Sequence, residues 1–352
     1  MTSSTEAGPG TAGAPGGPER WPLAVLPTPL TPAPRLAAAL GLAGPLLVKR
    51  DDLTGFAVAG NKARPLEVLL ADAAATAATV IVTGGATGSN FAAAAVAAAA
   101  HAGLPALLVY AGTAPEQEHP NLALARHWGA EVVFTGDPDR ESVDAGIAQA
   151  AARLEAAGER PFPIPRGGAT ARSAAGFHWA AAELARQLTD GAGGAGGISE
   201  AGWPGGRVTV VTATGSGGTL AGLVSGTVAL GRPWRLAGVS VSRPPAETRQ
   251  RVLAMATGCA RQLGTPAPGP DDVELTDGRG PGHGLASAQG RAAARLALRT
   301  AGLVLDPVYT AKALAALPAI LGGTAADPGL TTIFWHTGGL LDAVDEAAAK
   351  ET

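Results

Sequence analysis

Three short stretches carry the residue types best suited to chemistry. The first, residues 208–222, reads VTVVTATGSGGTLAG. An apolar strand runs into Thr214-Gly215-Ser216-Gly217-Gly218-Thr219, and a helix is expected to open at about Leu220. Small residues let the backbone approach an anion, and the free N–H groups and dipole of the helix's first turn then hold a phosphate. A P-loop would need Gly-Lys-Ser/Thr, and no lysine follows these glycines. A dinucleotide fingerprint would need a third glycine where Leu220 stands, and an acidic residue after the next strand, where Arg243 stands. A single phosphomonoester fits the loop better than a nucleotide.

The second stretch, residues 80–102, is another strand, loop and helix, with the loop Gly84-Gly85-Ala86-Thr87-Gly88-Ser89-Asn90. Bare N–H groups around Gly88, with Ser89 and Asn90 beside them, suit a carboxylate. The same Ser89 or Asn90 would equally cap the Ala-rich helix that follows. The third stretch is KRDDL followed by GNKARPLE, residues 60–67. Asn61 is placed to cap a helix opening near Lys62. A lysine at a helix N-terminus faces the positive end of the dipole, a poor place for a permanent cation and a good one for an amine that must lose its proton to form a Schiff base. Of 26 basic residues only Lys49, Lys62, Lys312 and Lys350 are lysines. Lys49 reads as a strand end, Lys312 as helical and Lys350 as tail, while an exposed, idle Lys62 is the plainer alternative. A phosphate cradle, a carboxylate cradle and a destabilised lysine together suit pyridoxal 5'-phosphate acting on an amino acid.

These stretches need rigid elements to aim them. The chain has 352 residues, 46% hydrophobic and 16% charged, enough for about two domains with sizeable cores. Apolar, β-branched runs at 46–49, 79–83, 106–110, 131–135, 208–212, 236–242 and 331–336 read as strands. Helices are expected at 62–74, 90–102, 121–128, 139–157, 173–188, 220–230, 287–300 and 310–321. Such alternation predicts an α/β protein with parallel sheets covered on both faces. Residues 1–20 read as a disordered tail, 191–206 as a flexible Gly-rich insert, and 261–282 as an irregular site rim. A net charge of −3 with scattered arginines argues against nucleic acid. The single Cys259 excludes an internal disulfide and a Cys-cluster metal site, so no metal is expected. No apolar run near a terminus approaches a membrane span, and a cytoplasmic protein is the expectation.

In order along the chain, KRDDLTG, GNKARPLE, GGATGSN, TATGSGGTLAGL, LDPVYTAKAL and HTGG resemble the blocks of the D-cysteine desulfhydrase/1-aminocyclopropane-1-carboxylate deaminase family, among the fold type II, tryptophan-synthase-β-like pyridoxal phosphate enzymes. The resemblance spans residues 26–340. It implies two open parallel-sheet domains, a larger one over 21–65 and 173–352 and a smaller one over 66–172, with the cofactor in the cleft between them and a homodimer as the assembly. It implies Lys62 as the Schiff-base lysine and mover of the α-proton. Gly88, Ser89 and Asn90 fall at the substrate, with Ser89 near its carboxylate or the lysine amine and Asn90 near the cofactor's 3′ oxygen, and Thr214 to Thr219 fall at the cofactor phosphate. Tyr309 matches an active-site tyrosine, although a core aromatic at a helix start is the bland reading of the residue itself.

Within that family the deaminases carry an acidic residue toward the pyridine nitrogen where this chain has Thr310, and an apolar one where it has Thr337. Both positions resemble the desulfhydrase branch. An uncharged partner leaves the ring nitrogen a weaker electron sink, adequate for β-elimination and less suited to opening a cyclopropane. His283, in Gly282-His283-Gly284, replaces a second active-site tyrosine, as an acid–base group or an idle rim histidine. Phe91-Ala92-Ala93-Ala94 replaces polar residues, which implies an altered substrate pocket. The expected activity is elimination or deamination of a small amino acid to a 2-oxo acid and ammonia. D-cysteine leads, and 1-aminocyclopropane-1-carboxylate deamination, β-replacement, racemisation or a specialised biosynthetic step are the alternatives. A non-catalytic binder of pyridoxal phosphate or an amino acid is the rival from another class.

Overall fold

The structure is a computed structural model that describes residues 18–189 and 206–348. The expected tail over 1–20 and insert over 191–206 therefore fall almost wholly outside the described residues. Arg20 is described, and its guanidinium is bound by the Glu67 carboxylate, with Nε at 2.9 Å.

In chain order the elements are β1 Leu30–Pro32, α1 Pro34–Ala39, β2 Leu46–Arg50, α2 Ala63–Ala75, β3 Val80–Gly85, α3 Asn90–His101, β4 Ala106–Tyr110, α4 Pro120–His127, β5 Glu131–Phe134, α5 Ser142–Ala156, β6 Pro161–Pro163, α6 Ala175–Thr189, β7 Arg207–Thr214, α7 Gly218–Ala229, β8 Arg235–Ser240, α8 Pro245–Leu263, β9 Glu274–Asp277, α9 Ala288–Ala301, α10 Thr310–Leu321, β10 Leu330–His336 and α11 Leu340–Ala348. They form two sheets. The six-stranded one has the order β1-β2-β10-β7-β8-β9, parallel apart from the antiparallel edge strand β1. The four-stranded one, β5-β4-β3-β6, is parallel throughout.

The strands read as unbroken apolar runs because both faces are covered. On the larger sheet Leu47, Val210, Leu236 and Ile333 point to one side and pack with α6, α7 and α8. Their neighbours Leu46, Val48, Val211, Ala237 and Phe334 point to the other and pack with α1, α9 and α10. The smaller sheet divides likewise, Ile81 and Leu108 lying with the alanine face of α3 and Val82, Leu107 and Val109 with α5. This layering aims the C-terminal ends of β2, β7, β10 and β3 at common ground, and ligands of open α/β sheets bind outside such ends.

Several sequence expectations are corrected. Helix α7 starts at Gly218, two residues before Leu220, because Gly217 adopts the left-handed conformation (φ +97°) and turns the chain into the helix early. Asn61 does not cap α2. It belongs to a 3₁₀ turn, Gly60–Lys62, and Lys62 itself holds the N-cap position. The irregular rim over 261–282 begins only after Gly264, since residues 261–263 close the nineteen-residue helix α8, and β9 lies inside the stretch.

Candidate active site

Between the two sheets lies a cavity lined by Asn61, Lys62, Ser89, Asn90, Thr214 to Gly217, Thr219, Tyr309, Thr337 and Asp306, with Phe91 on its wall. The structure thus brings the three stretches singled out in the sequence to one place. Backbone stitching keeps them there: Asn61 N–H donates to Thr337 O at 3.0 Å, and Asn61 Nδ2 donates to Thr219 Oγ1 at 3.0 Å. The turn that carries the lysine is thereby tied to the loop after β7 and to the segment after β10.

The Lys62 amine has no hydrogen bond or ion pair among the described residues. Burial pushes its pKa down to about 8, and the nearby Asp306 carboxylate only partly restores it. The position is doubly unfavourable for an ammonium, being both desolvated and at the start of α2.

Asp306 has no counterpart among the site residues expected from sequence. Its Oδ1 accepts from the backbone N–H of Val308 (3.0 Å) and Tyr309 (2.6 Å), its Oδ2 from Thr310 N–H (2.9 Å) and the Thr310 hydroxyl (2.5 Å). These bonds hold the turn that presents Tyr309. Burial still raises the Asp306 pKa to about 6, against the pull of Thr310. The available signal was the Asp-Pro pair four residues before a helix start, where an Asx-type turn is common.

The loop after β7 is shaped for an anion. Thr214 Oγ1 is buried and finds no partner, and the N–H groups that open α7 face the cavity end. A side chain on Gly215 would place its Cβ 2.8 Å from the Tyr309 ring, so only glycine leaves both the loop and the aromatic in place. Ser242 Oγ and Arg243 Nη1 donate to Gly215 O from behind, at 3.0 and 3.3 Å. An orphaned hydroxyl beside unspent N–H donors fits the phosphate of pyridoxal 5'-phosphate, and the unpartnered amine fits its aldehyde.

On the other wall, Ser89 Oγ accepts from Ala92 N–H at 3.2 Å and so caps α3. Asn90 is held by α11 and α4, its Nδ2 donating to Asp342 Oδ2 at 2.5 Å and its Oδ1 accepting from Asn121 Nδ2 at 3.1 Å. Gly88, with its carbonyl bound by Asn121, and His283 lie at the outer mouth rather than in the inner cavity. Gly218 sits within the first turn of α7, where an added Cβ would press on Ala169 at 3.2 Å. Thr310 is buried and spends its hydroxyl on Asp306, so it lines neither space. Burial raises the Tyr309 phenol pKa, keeping it protonated, whereas burial and the cations Arg140, Arg243 and Lys312 lower that of His283.

Comparison with known proteins agrees with this geometry. Residues 22–338 match the family described as pyridoxal-phosphate dependent enzyme. D-cysteine desulfhydrases of Salmonella paratyphi B and Salmonella paratyphi C are each 36% identical over 322 residues, covering 89% of this chain and 92% of the relative. A crystal structure of an ACC deaminase homologue superposes with a TM-score of 0.82 at 31% identity, over 94% of this chain and 95% of the other. A fungal L-serine ammonia-lyase from Rhizomucor miehei shares the fold at TM-score 0.64 and 16% identity, over 94% and 99% of the two chains. The chain belongs to the pyridoxal-phosphate dependent enzymes of fold type II, as a lyase of the D-cysteine desulfhydrase/1-aminocyclopropane-1-carboxylate deaminase family.

Proposed function

We propose that the protein eliminates the β-substituent of a small amino acid and releases a 2-oxo acid and ammonia, with D-cysteine as the first substrate to test. For D-cysteine the balance is one water consumed and pyruvate, hydrogen sulfide and ammonia formed. The observation that carries the reading is the partnerless Lys62 amine, with a pKa near 8, in the same cavity as the loop after β7.

Bound pyridoxal phosphate would supply an electron sink for the charge left at Cα. The residues supply the rest. Thr214 to Thr219 hold the phosphate with N–H groups and the Thr214 hydroxyl. Ser89 and Asn90 receive the substrate carboxylate at the start of α3. Lys62, whose amine is largely neutral above pH 8, is the covalent anchor and takes the Cα proton. Tyr309, kept protonated by burial and lining the same cavity, is the proton donor to the departing group in this reading. At Thr310, where the deaminases carry an acid, the side chain is neutral, bonded to Asp306 and outside the cavity lining, so this position supplies no negative charge to the ring nitrogen, which favours elimination over cyclopropane opening. The same reading has 21–65 with 173–352 as the cofactor-binding domain and 66–172 as the smaller one, in a cytoplasmic homodimer.

A panel of D- and L-amino acids, 1-aminocyclopropane-1-carboxylate included, assayed for 2-oxo acid and ammonia release, tests the proposal. D-cysteine or another β-substituted alanine is expected to turn over. Turnover of the cyclopropane substrate alone would make the protein a deaminase, and turnover of nothing, with cofactor bound, would leave it a binder.

A further inference from the structure

Beyond Ser89, Gly215, Ser216 and Tyr309 the inner cavity opens into a wider vestibule. Arginines enter it from both sheets, each from beyond the C-terminal end of a strand: Arg140 after β5, Arg166 after β6, and Arg243 and Arg251 after β8. Two of them are spoken for. Arg166 is paired with Asp144 at 2.7 Å, and Arg243 with Glu247 at 2.9 Å. The side chains of Arg140 and Arg251 form no ion pair or hydrogen bond among the described residues.

Of the acids in the same vestibule, Asp144 pairs with Arg166 and also feels Arg251, and none is paired with Arg140. Asp342 is bound by Asn90 and lies 3.3 Å from His119, Asp345 lies 3.7 Å from His119, and Glu346 pairs with Arg291 at 2.7 Å. Positive charge is thus concentrated at the end next to Tyr309. It lowers the Arg243 pKa, through burial first and then through Arg140 and Arg251, and reaches the Tyr309 phenol as well. A substrate with one carboxylate and one amine, both provided for at Ser89 and Lys62, leaves this charge unrelieved. Like charges gathered at a partly buried cleft mouth raise the local concentration of an anion and favour partners that carry one.

We infer that the preferred substrate carries a second acidic group (a sulfonate or phosphate that departs from Cβ, or a carboxylate borne on the departing group), received by Arg140 with Arg243 beside it. The inference rests on the elimination reading above and narrows its substrate class, placing an anionic β-substituent ahead of the thiol of D-cysteine. Arg140 is a specificity residue here and takes no part in moving protons.

The test uses the holoenzyme and a pair of amino acids that match in shape and differ in charge, aspartate and asparagine, each as both enantiomers, with affinity read by calorimetry at low ionic strength. One enantiomer of aspartate is expected to bind about tenfold or more tightly than the matching asparagine, with a preference that shrinks as salt is added. Arg140→Gln should abolish the preference, and Arg140→Lys should retain most of it. Equal affinities in the wild type, binding of neither, or equal losses for both in Arg140→Gln would overturn the inference. Weakened cofactor retention in Arg140→Gln with the aspartate preference intact would overturn it too, assigning the arginine to the phosphate. Release of a 2-oxo acid from a neutral β-substituted alanine, without acidic preference, sinks this inference alone. Absence of product from every substrate sinks the elimination reading instead.

Discussion

Two lysines at the C-terminal side of the larger sheet show how differently a buried amine can be treated. Lys49, on β2, lies in register beside Trp335 of β10 and is wholly enclosed. Its Nζ donates to Thr28 O and Gln187 Oε1, both at 2.7 Å, and to the Glu183 carboxylate. Arg64 joins the same cluster, meeting both Asp51 oxygens at 2.8 Å and Glu183 Oε1 at 2.9 Å, while Trp335 Nε1 donates to Asp51 Oδ2 at 2.8 Å. Thirteen residues further on, Lys62 is also desolvated and has none of this. Burial lowers both amines' pKa values, yet Glu183 and Asp51 counteract it at Lys49, where at Lys62 only Asp306 does so from a distance. A buried charge with every donor spent fixes structure, and one left without partners keeps its reactivity.

Exchanging each lysine for alanine should separate the two roles most widely. Lys62→Ala should lower 2-oxo acid release by about a thousandfold or more and abolish the visible absorption of the lysine-bound cofactor, with little loss of unfolding free energy. Lys49→Ala should do the reverse. It leaves two buried carboxylates, Asp51 and Glu183, with Arg64 alone between them, at a cost of about 3–5 kcal/mol in urea unfolding. Comparable destabilisation by both changes would remove the distinction.

The pH dependence sharpens it. Only the neutral amine attacks an aldehyde, and a pKa lowered to about 8 makes Lys62 neutral at lower pH than an ordinary lysine. The rate at which apoprotein captures added pyridoxal phosphate should rise about tenfold per pH unit below pH 8 and level off above it. A rise continuing to pH 10 would mean that the amine is solvated. Ser89→Ala has the smallest expected effect, about 1 kcal/mol of unfolding free energy from the lost cap of α3; no change in stability would place the hydroxyl's role entirely with the substrate.

Much of this organisation was legible in the residues. The long strands and most helices declare themselves through apolar runs and Ala/Leu stretches, and Thr214 to Thr219 and Lys62 through chemistry confined to a few consecutive positions. The strands that escape notice, β1, β6 and β9, are three or four residues long, lie at sheet edges or the chain's turns, and two contain proline. Helix α8 is different, since its signal is present: Thr248, Val252, Ala256 and Cys259 recur at helical spacing and all are buried. Asp306 and the four vestibule arginines are hidden for a physical reason. Their meaning comes from neighbours far away in sequence, brought near by two sheets whose strand ends converge. Gly88 and His283 show the converse, because position along a motif does not say which side of Tyr309 a residue will face.

Which amine holds the cofactor decides whether Lys62 is the reactive lysine. Borohydride reduction of the purified holoenzyme, followed by protease digestion and mass spectrometry of the peptides, reads it directly. A reduced pyridoxyl phosphate adduct on Lys62 is the predicted result; an adduct on Lys49, Lys312 or Lys350, or on no lysine, would contradict it.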